Sequence, residues 1–211
     1  MLDTACLLQD EVGRLTGVIL AGGKQEKPGG VHKALWTYQG ERLVQRQIQL
    51  MQPICSEIIL VTNEPRLFLP LVDSRVRIIT DFYDGKGPLG GMHAAMTLAK
   101  HPHLWVVGCD MPFLSSDAAL LSWKLIRKLD VDAVLPLLDG KLHPWHGVYN
   151  KRCASVLSFL LDRDKESIWS FLERVRFEPL TEANLETHGL NGHFIRQICT
   201  EDEYTHAKAI E

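Results

Sequence analysis

Apolar residues along the chain fall into short unbroken runs separated by stretches with helical spacing. Gly17 to Ala21 reads G-V-I-L-A and stops at Gly22-Gly23, the pattern of a strand buried on both faces and ended by a glycine turn. Similar runs return at Glu57 to Thr62, Arg75 to Thr80, Leu104 to Val107 and Asp132 to Leu137. Between them, Val44, Ile48 and Met51 share one face of a helix predicted over Arg42 to Met51. Leu89, Met92, Met96 and Ala99 do the same from Pro88 to Lys100, and Pro88 suits a first turn, where its missing N–H costs nothing. Ser115 or Ser116 can cap a third helix, with Ala118, Leu121, Leu125 and Leu129 on its predicted inner face. The C-terminal third is less regular. It predicts helices near Ala154 to Leu161 and Ser167 to Glu173, a strand near Val175 to Leu180 and a helix after Thr200.

Strands alternating with helices imply an α/β fold of Rossmann-like type: a mostly parallel sheet with helices on both faces. No repeat or linker divides the 211 residues, so a single domain is expected. It has an N-terminal lead (1–15), a core (16–149) and a C-terminal part (150–211). A hydrophobic fraction of 45% excludes disorder. The net charge of −3 gives no broad attraction to nucleic acid or anionic membrane. No apolar run reaches the roughly 20 residues a bilayer span requires, and no basic leader precedes the N-terminal apolar patch. Five scattered cysteines without a C-x-x-C pair argue against a disulfide framework or structural zinc and point to the reducing cytoplasm.

In such folds, ligands bind at the carboxyl ends of the strands, near the point where strand order reverses. The unusual residues collect there: Gly22-Gly23 after the first strand, Asn63 after the second, Asp81 after the third and Asp110 after the fourth. The loop Leu20 to Lys33 is glycine-rich and ends in a lysine, so it is either a phosphate cradle or a plain glycine turn. It is neither a Walker A loop nor a G-x-G-x-x-G fingerprint. Asp110, in W-V-V-G-C-D-M-P-F-L, can hold Mg²⁺ with one carboxylate or merely cap a turn. Asp81 can bind ribose hydroxyls or a second metal, or shape its turn. G-P-L-G-G (Gly87 to Gly91) opens a helix and suits either a second anion or close helix–sheet packing. His143, Trp145 and His146 could line a site for a flat heterocycle. His101/His103 and His143/His146 lack the spacing of a zinc site.

Taken in order from about Thr16 to Tyr149, these motifs resemble molybdenum cofactor guanylyltransferases. They are G-V-I-L-A-G-G-K, G-G-V-x-K-A-L, V-T-N, D-x-x-x-G-x-G-P-L-G-G, W-V-V-x-C-D-x-P-F-L and G-x-x-H-P. The resemblance implies a nucleotidyltransferase fold and transfer of GMP from GTP to molybdopterin cofactor with Mg²⁺, releasing pyrophosphate. It implies that Leu20, Ala21, Gly22 and Gly23 contact the nucleotide and that Lys33 neutralises its phosphates. Asn63 and Asp81 would hold the nucleoside, Asp110 the metal, and His143 would lie on the substrate side. Lys33 and Asp110 would be the catalytic pair, and proteins of cofactor synthesis or acceptor molybdoenzymes the partners. The chain departs from the family pattern at Lys27, Pro28 and His32, and Arg196 and Ile198 stand where two asparagines are usual. Cytidylyl transfer to the pterin, nucleotidyl transfer to a sugar phosphate, and a non-catalytic nucleotide- or partner-binding homologue are the alternatives.

Overall fold

The computed structural model describes residues 14–22 and 32–198. The glycine-rich loop from Gly23 onward, with Lys27 and Pro28, lies outside the described residues, as do Cys6, Cys199 and the helix predicted after Thr200. From the N-terminus the elements are β1 (Leu15–Leu20), a 3₁₀ turn (Lys33–Leu35), β2 (Thr37–Tyr38), β3 (Glu41–Arg42), α1 (Leu43–Met51), β4 (Glu57–Val61) and α2 (Pro65–Phe68). There follow β5 (Val76–Ile79), α3 (Gly87–Leu98), β6 (His103–Gly108), α4 (Ser116–Leu129), β7 (Ala133–Leu138), β8 (Lys141–Leu142) and β9 (His146–Asn150). The chain continues through α5 (Ala154–Leu161), α6 (Ile168–Leu172), β10 (Phe177–Thr181) and α7 (Glu182–Thr187).

The main sheet runs β10-β7-β9-β6-β1-β4-β5, with β8 paired to β7. The β1–β4, β4–β5, β1–β6 and β7–β10 pairs are parallel, whereas β9 runs antiparallel to both β6 and β7. This is the mostly parallel α/β sheet expected from the sequence. After β5 the chain crosses back past β1 to form β6, so order reverses between β1 and β6 and leaves a crevice at their carboxyl ends.

Side chains alternate between two apolar layers. Leu15 and Ile19 of β1, Ile58 and Leu60 of β4, and Trp105 and Val107 of β6 meet Val44, Ile48 and Met51 of α1 and Trp123 of α4. Val18, Ile59, Leu104 and Val106 point the other way, against Met92 and Met96 of α3, Leu157 of α5 and Phe171 of α6. Helices on both faces therefore account for the uninterrupted apolar runs of the strands. Gly17 lets α1 approach, because a Cβ there would lie 2.7 Å from the Met51 sulfur.

Two expectations need correction. Helix α4 is capped by Ser115, whose hydroxyl accepts from Ala118 N–H at 3.1 Å. However, its buried face is Ala118, Ala119, Ser122, Trp123 and Ile126, and Leu129 is exposed. Two alanines and a serine let α4 sit close to the sheet, and Trp123 and Ile126 fill the space beside them. His146, expected beside a heterocycle, is instead 1% exposed inside β9. Its ring meets Trp105 at 5.2 Å and Phe194 at 4.5 Å. Ser115 N–H donates to its Nε2 at 3.4 Å, so the ring proton sits on Nδ1, buried and without a partner.

Burial lowers the His146 pKa from 6.5 to about 3. Between these values the unfolded chain binds a proton that the folded chain refuses, so stability rises with pH across the window and is lost as pH falls. His93 and His103, also lowered by burial, act in the same direction. The thermal midpoint is expected to drop as pH is taken from about 7 to about 4. His146→Leu should flatten that slope whatever its effect at neutral pH; circular dichroism melts across the range provide the check.

Candidate functional site

The carboxyl ends of β1, β4, β5 and β6 bring Ala21, Gly22, Asn63, Asp81 and Asp110 to one edge of the sheet. Ala21 N–H donates to Val61 O at 2.8 Å, and Cys109 N–H to Leu20 O at 3.2 Å, which registers the ends of β1, β4 and β6. Among the described residues nothing lies within 4 Å of where a Cβ at Gly22 would stand. His32 Nε2–H donates to Ala21 O at 2.9 Å, and Nδ1 accepts from Ala34 N–H at 3.2 Å, capping the 3₁₀ turn that carries Lys33. A histidine thus does the capping work for which aspartate is well suited, while its ring packs edge-on to Phe68 at 5.2 Å.

Asp110 is partly buried at the end of β6. Burial pushes its carboxyl above the ordinary value, and the ammonium of Lys33 draws it back down, with a smaller pull from hydrogen bonds. The same Lys33 charge acts on Cys109, whose thiol burial nonetheless raises to about 12. Cys109 is therefore protonated at neutral pH and is no nucleophile. A carboxylate held high by desolvation gains from a second cation, and one carboxylate with substrate phosphates is how proteins usually hold Mg²⁺. Among the described residues there is no group of three or more His, Cys, Asp or Glu that would form an all-protein metal cage. The single strand-end carboxylate of Asp110 fits Mg²⁺ shared with a ligand's phosphates.

On the other side of the crevice, Asn63 Nδ2 donates to Asp81 Oδ2 at 3.1 Å, joining the two residues expected to act together. The loop after Asp81 is tied to α5: Tyr83 hydroxyl meets Ser158 Oγ at 3.1 Å and donates to Asp162 Oδ1 at 2.9 Å. Lys86 pairs with Asp164 and with Glu166, the latter at 3.1 Å. At Gly90 and Gly91 the close-packing alternative holds. Cβ atoms there would lie 3.3 Å from Tyr83 O and 3.2 Å from Val61 Cγ1.

His143 and Trp145 do come together. With Met111, Leu142, Pro144, Ile195 and Gln197 they line a pocket of about 150 Å³ beside Asp110. Burial lowers the His143 pKa, keeping the ring neutral. Ile195 also lines a larger cleft of about 520 Å³ that reaches Asp139, Glu182, His193 and Arg196.

Sequence reasoning missed what holds the β6–α4 loop. Gln47, fully buried on α1, donates through Nε2 to Gly108 O at 2.8 Å and Met111 O at 2.9 Å. Arg46 Nε donates to Pro112 O at 2.9 Å. A signal existed: Gln47 interrupts the apolar stripe of Val44, Ile48 and Met51, and a polar residue at a core position implies a buried partner. Gly108 is required as well, since a Cβ there would lie 2.7 Å from Asp110 Oδ1.

A carboxylate under the field of a lysine at a switch-point crevice, with the Asn63–Asp81 pair across it, fits a nucleotidyltransferase. The solved molybdopterin-guanine dinucleotide biosynthesis protein A from Archaeoglobus fulgidus shares the fold, with a TM-score of 0.79 at 22% identity over 92% of this chain and 97% of that one. The fold also extends to 4-diphosphocytidyl-2C-methyl-D-erythritol synthase from Anaerococcus prevotii, at a TM-score of 0.66 and 12% identity over 95% and 99% of the two chains. Residues 17–179 match the MobA-like NTP transferase domain, and the chain belongs to that family. Among curated relatives, the molybdenum cofactor guanylyltransferase of Desulfosudis oleivorans is 28% identical over 81% of this chain and 83% of its own. A probable molybdenum cofactor guanylyltransferase of Pelotomaculum thermopropionicum is 31% identical over 81% and 80%.

Gly108→Ala is expected to displace the Asp110 carboxylate and weaken Mn²⁺ binding about tenfold or more, because a group that orients a ligand is disturbed. The fold should persist. Electron paramagnetic resonance of free Mn²⁺, with a melt as control, measures both.

Proposed function

We propose that this chain transfers GMP from GTP to the molybdopterin form of molybdenum cofactor, giving the guanine dinucleotide form and pyrophosphate. The observation that carries the reading is the partly buried Asp110 carboxylate acting electrostatically with Lys33 at the crevice between β1 and β6. The names of the curated relatives support the choice of base and acceptor.

Bound at Asp110, Mg²⁺ would supply charge neutralisation at the reacting phosphate. Lys33 neutralises further phosphate charge, which matters because nucleotidyl transfer depends on positioning and electrostatics more than on covalent help. The backbone at Leu20, Ala21 and Gly22, with Gly23 following, contacts the nucleotide, while Asn63 and Asp81 hold its ribose through their joined polar groups. The terminal phosphate oxygen of the acceptor attacks the α-phosphorus. As that P–O bond forms, the bridging P–O bond to the β-phosphate breaks and pyrophosphate leaves. No side-chain nucleophile takes part.

The acceptor lies on the β7–β9 side. His143 and Trp145 flank the smaller pocket, where a neutral imidazole and an indole suit a flat, hydrogen-bonding ring. The protein works in the cytoplasm, where cofactor-synthesis proteins or recipient molybdoenzymes are its partners. Among the described residues no helix is long and apolar enough to cross a membrane.

Calorimetric titration with GTP, CTP, ATP and UTP, each with and without Mg²⁺, tests the reading. GTP is expected to bind selectively and more tightly with Mg²⁺. Asp110→Ala should remove the Mg²⁺ gain, and Lys33→Met should weaken GTP about tenfold or more, the loss of a charge-assisted phosphate contact. Preference for CTP would move the reaction to cytidylyl transfer. Failure to bind any of the four would overturn nucleotide transfer altogether.

A further inference from the structure

The segment 192–198 returns to the strand edge after α7 and passes across the Asp110 loop. It is pinned at two points. Phe194 is 2% exposed against His146, and Ile198 is 3% exposed in a small cluster with Trp36, Tyr38 and Leu43. At the second pin, Ile198 N–H also donates to the Asp110 carbonyl at 2.8 Å, which locks the segment to the loop through backbone. That lock places the exposed Gln197 side chain over the site, where Nε2 donates to Asp110 Oδ1 at 3.4 Å. The bare Cα of Gly108 makes the meeting possible. A Cβ there would lie 2.7 Å from Asp110 Oδ1, so the carboxylate occupies the space a side chain would fill, with Gln197 Nε2 in ordinary contact at 3.7 Å.

We propose that Gln197 is a positioning residue for Asp110: its carboxamide holds one carboxylate oxygen and fixes the rotamer in which that group meets a divalent cation. The inference rests on the reading that Asp110 takes such a cation. It assigns the two neighbouring positions different work. Ile198 fastens the segment by burial, and Gln197 supplies the polar group. A carboxamide suits this role because it donates a hydrogen bond to a carboxylate without adding charge that would repel the cation. Gln197 also lines the pocket that contains His143 and Trp145, so the residue that steadies the carboxylate forms part of the wall facing the second pocket. The segment thereby links the two halves of the site.

The test uses the full chain, with Mn²⁺ as probe read by electron paramagnetic resonance, and GTP affinity without metal read by calorimetry. Gln197→Met keeps the length and removes the donor; Gln197→Asn keeps the donor on a shorter stem. Gln197→Met is expected to raise the Mn²⁺ dissociation constant about tenfold, the usual order for losing a partner of a metal ligand. Its metal-free GTP affinity and thermal midpoint should stay at the wild-type values, a split that a merely structural residue would not produce. Gln197→Asn should fall between the two. Mn²⁺ binding by Gln197→Met equal to wild type would overturn the assignment. If wild type and Asp110→Ala bind Mn²⁺ alike, the metal reading itself fails and Gln197 loses its role with it.

Discussion

The carboxamide of Gln47 stands where solvent would otherwise have to enter the core. Two carbonyls of the β6–α4 loop, at Gly108 and Met111, turn inward toward α1, and both are satisfied by this single buried nitrogen. A buried unpaired carbonyl costs on the order of 1–3 kcal/mol. Without Gln47 both acceptors at the base of the Asp110 loop would lose this partner. Arg46 extends the clamp to Pro112, and Leu20 accepts from Cys109 on the facing side. The placement of the carboxylate is thus decided largely from beneath, by a helix that reaches no ligand.

The opposite wall is built by a different logic. Asp81 follows an edge strand, and its loop is fastened through Tyr83 and Lys86 to α5 and the turn after it. These ties are exposed and polar, so they hold geometry more than they add stability. One wall is anchored in the core and the other at the surface.

Of the strands that carry the crevice, β1, β4 and β6 were legible in the sequence as near-unbroken apolar runs because they are buried on both faces, and the edge strand β5 showed through Val76, Ile78 and Ile79 around Arg77. The residues at their ends, Gly22, Asn63, Asp81 and Asp110, were legible for the same reason, since a strand that is easy to read has an end that is easy to find. Strand β9 was not. H-G-V-Y-N has a histidine and a glycine where a core strand usually shows branched residues, and both are buried for particular reasons. His146 accepts from Ser115, and Gly147 makes room for Leu135 and Tyr149, whose atoms would lie 2.5 and 2.8 Å from a Cβ. Helix α7 escaped because its six residues have no apolar period; a capping box between Thr181 and Asn184 starts it instead. Gln197 had no local signal at all, because its meaning arises only when a segment 87 residues away folds onto Asp110.

The reversed direction of β9 has a consequence for how charge is distributed around the edge. The loop after β5 leads into the amino end of α3 on one flank, and the loop after β6 into that of α4, whose capping Ser115 lies against His146 of β9; aligned peptide dipoles make both ends electropositive. The stretch before β9 enters a strand rather than a helix, and the segment 192–198 offers only a short 3₁₀ turn. A positive helix end therefore stands on each flank of the edge, before any side chain is counted. An anionic ligand would meet that backbone charge from either side, so its direction of entry is left to the side chains that line the crevice.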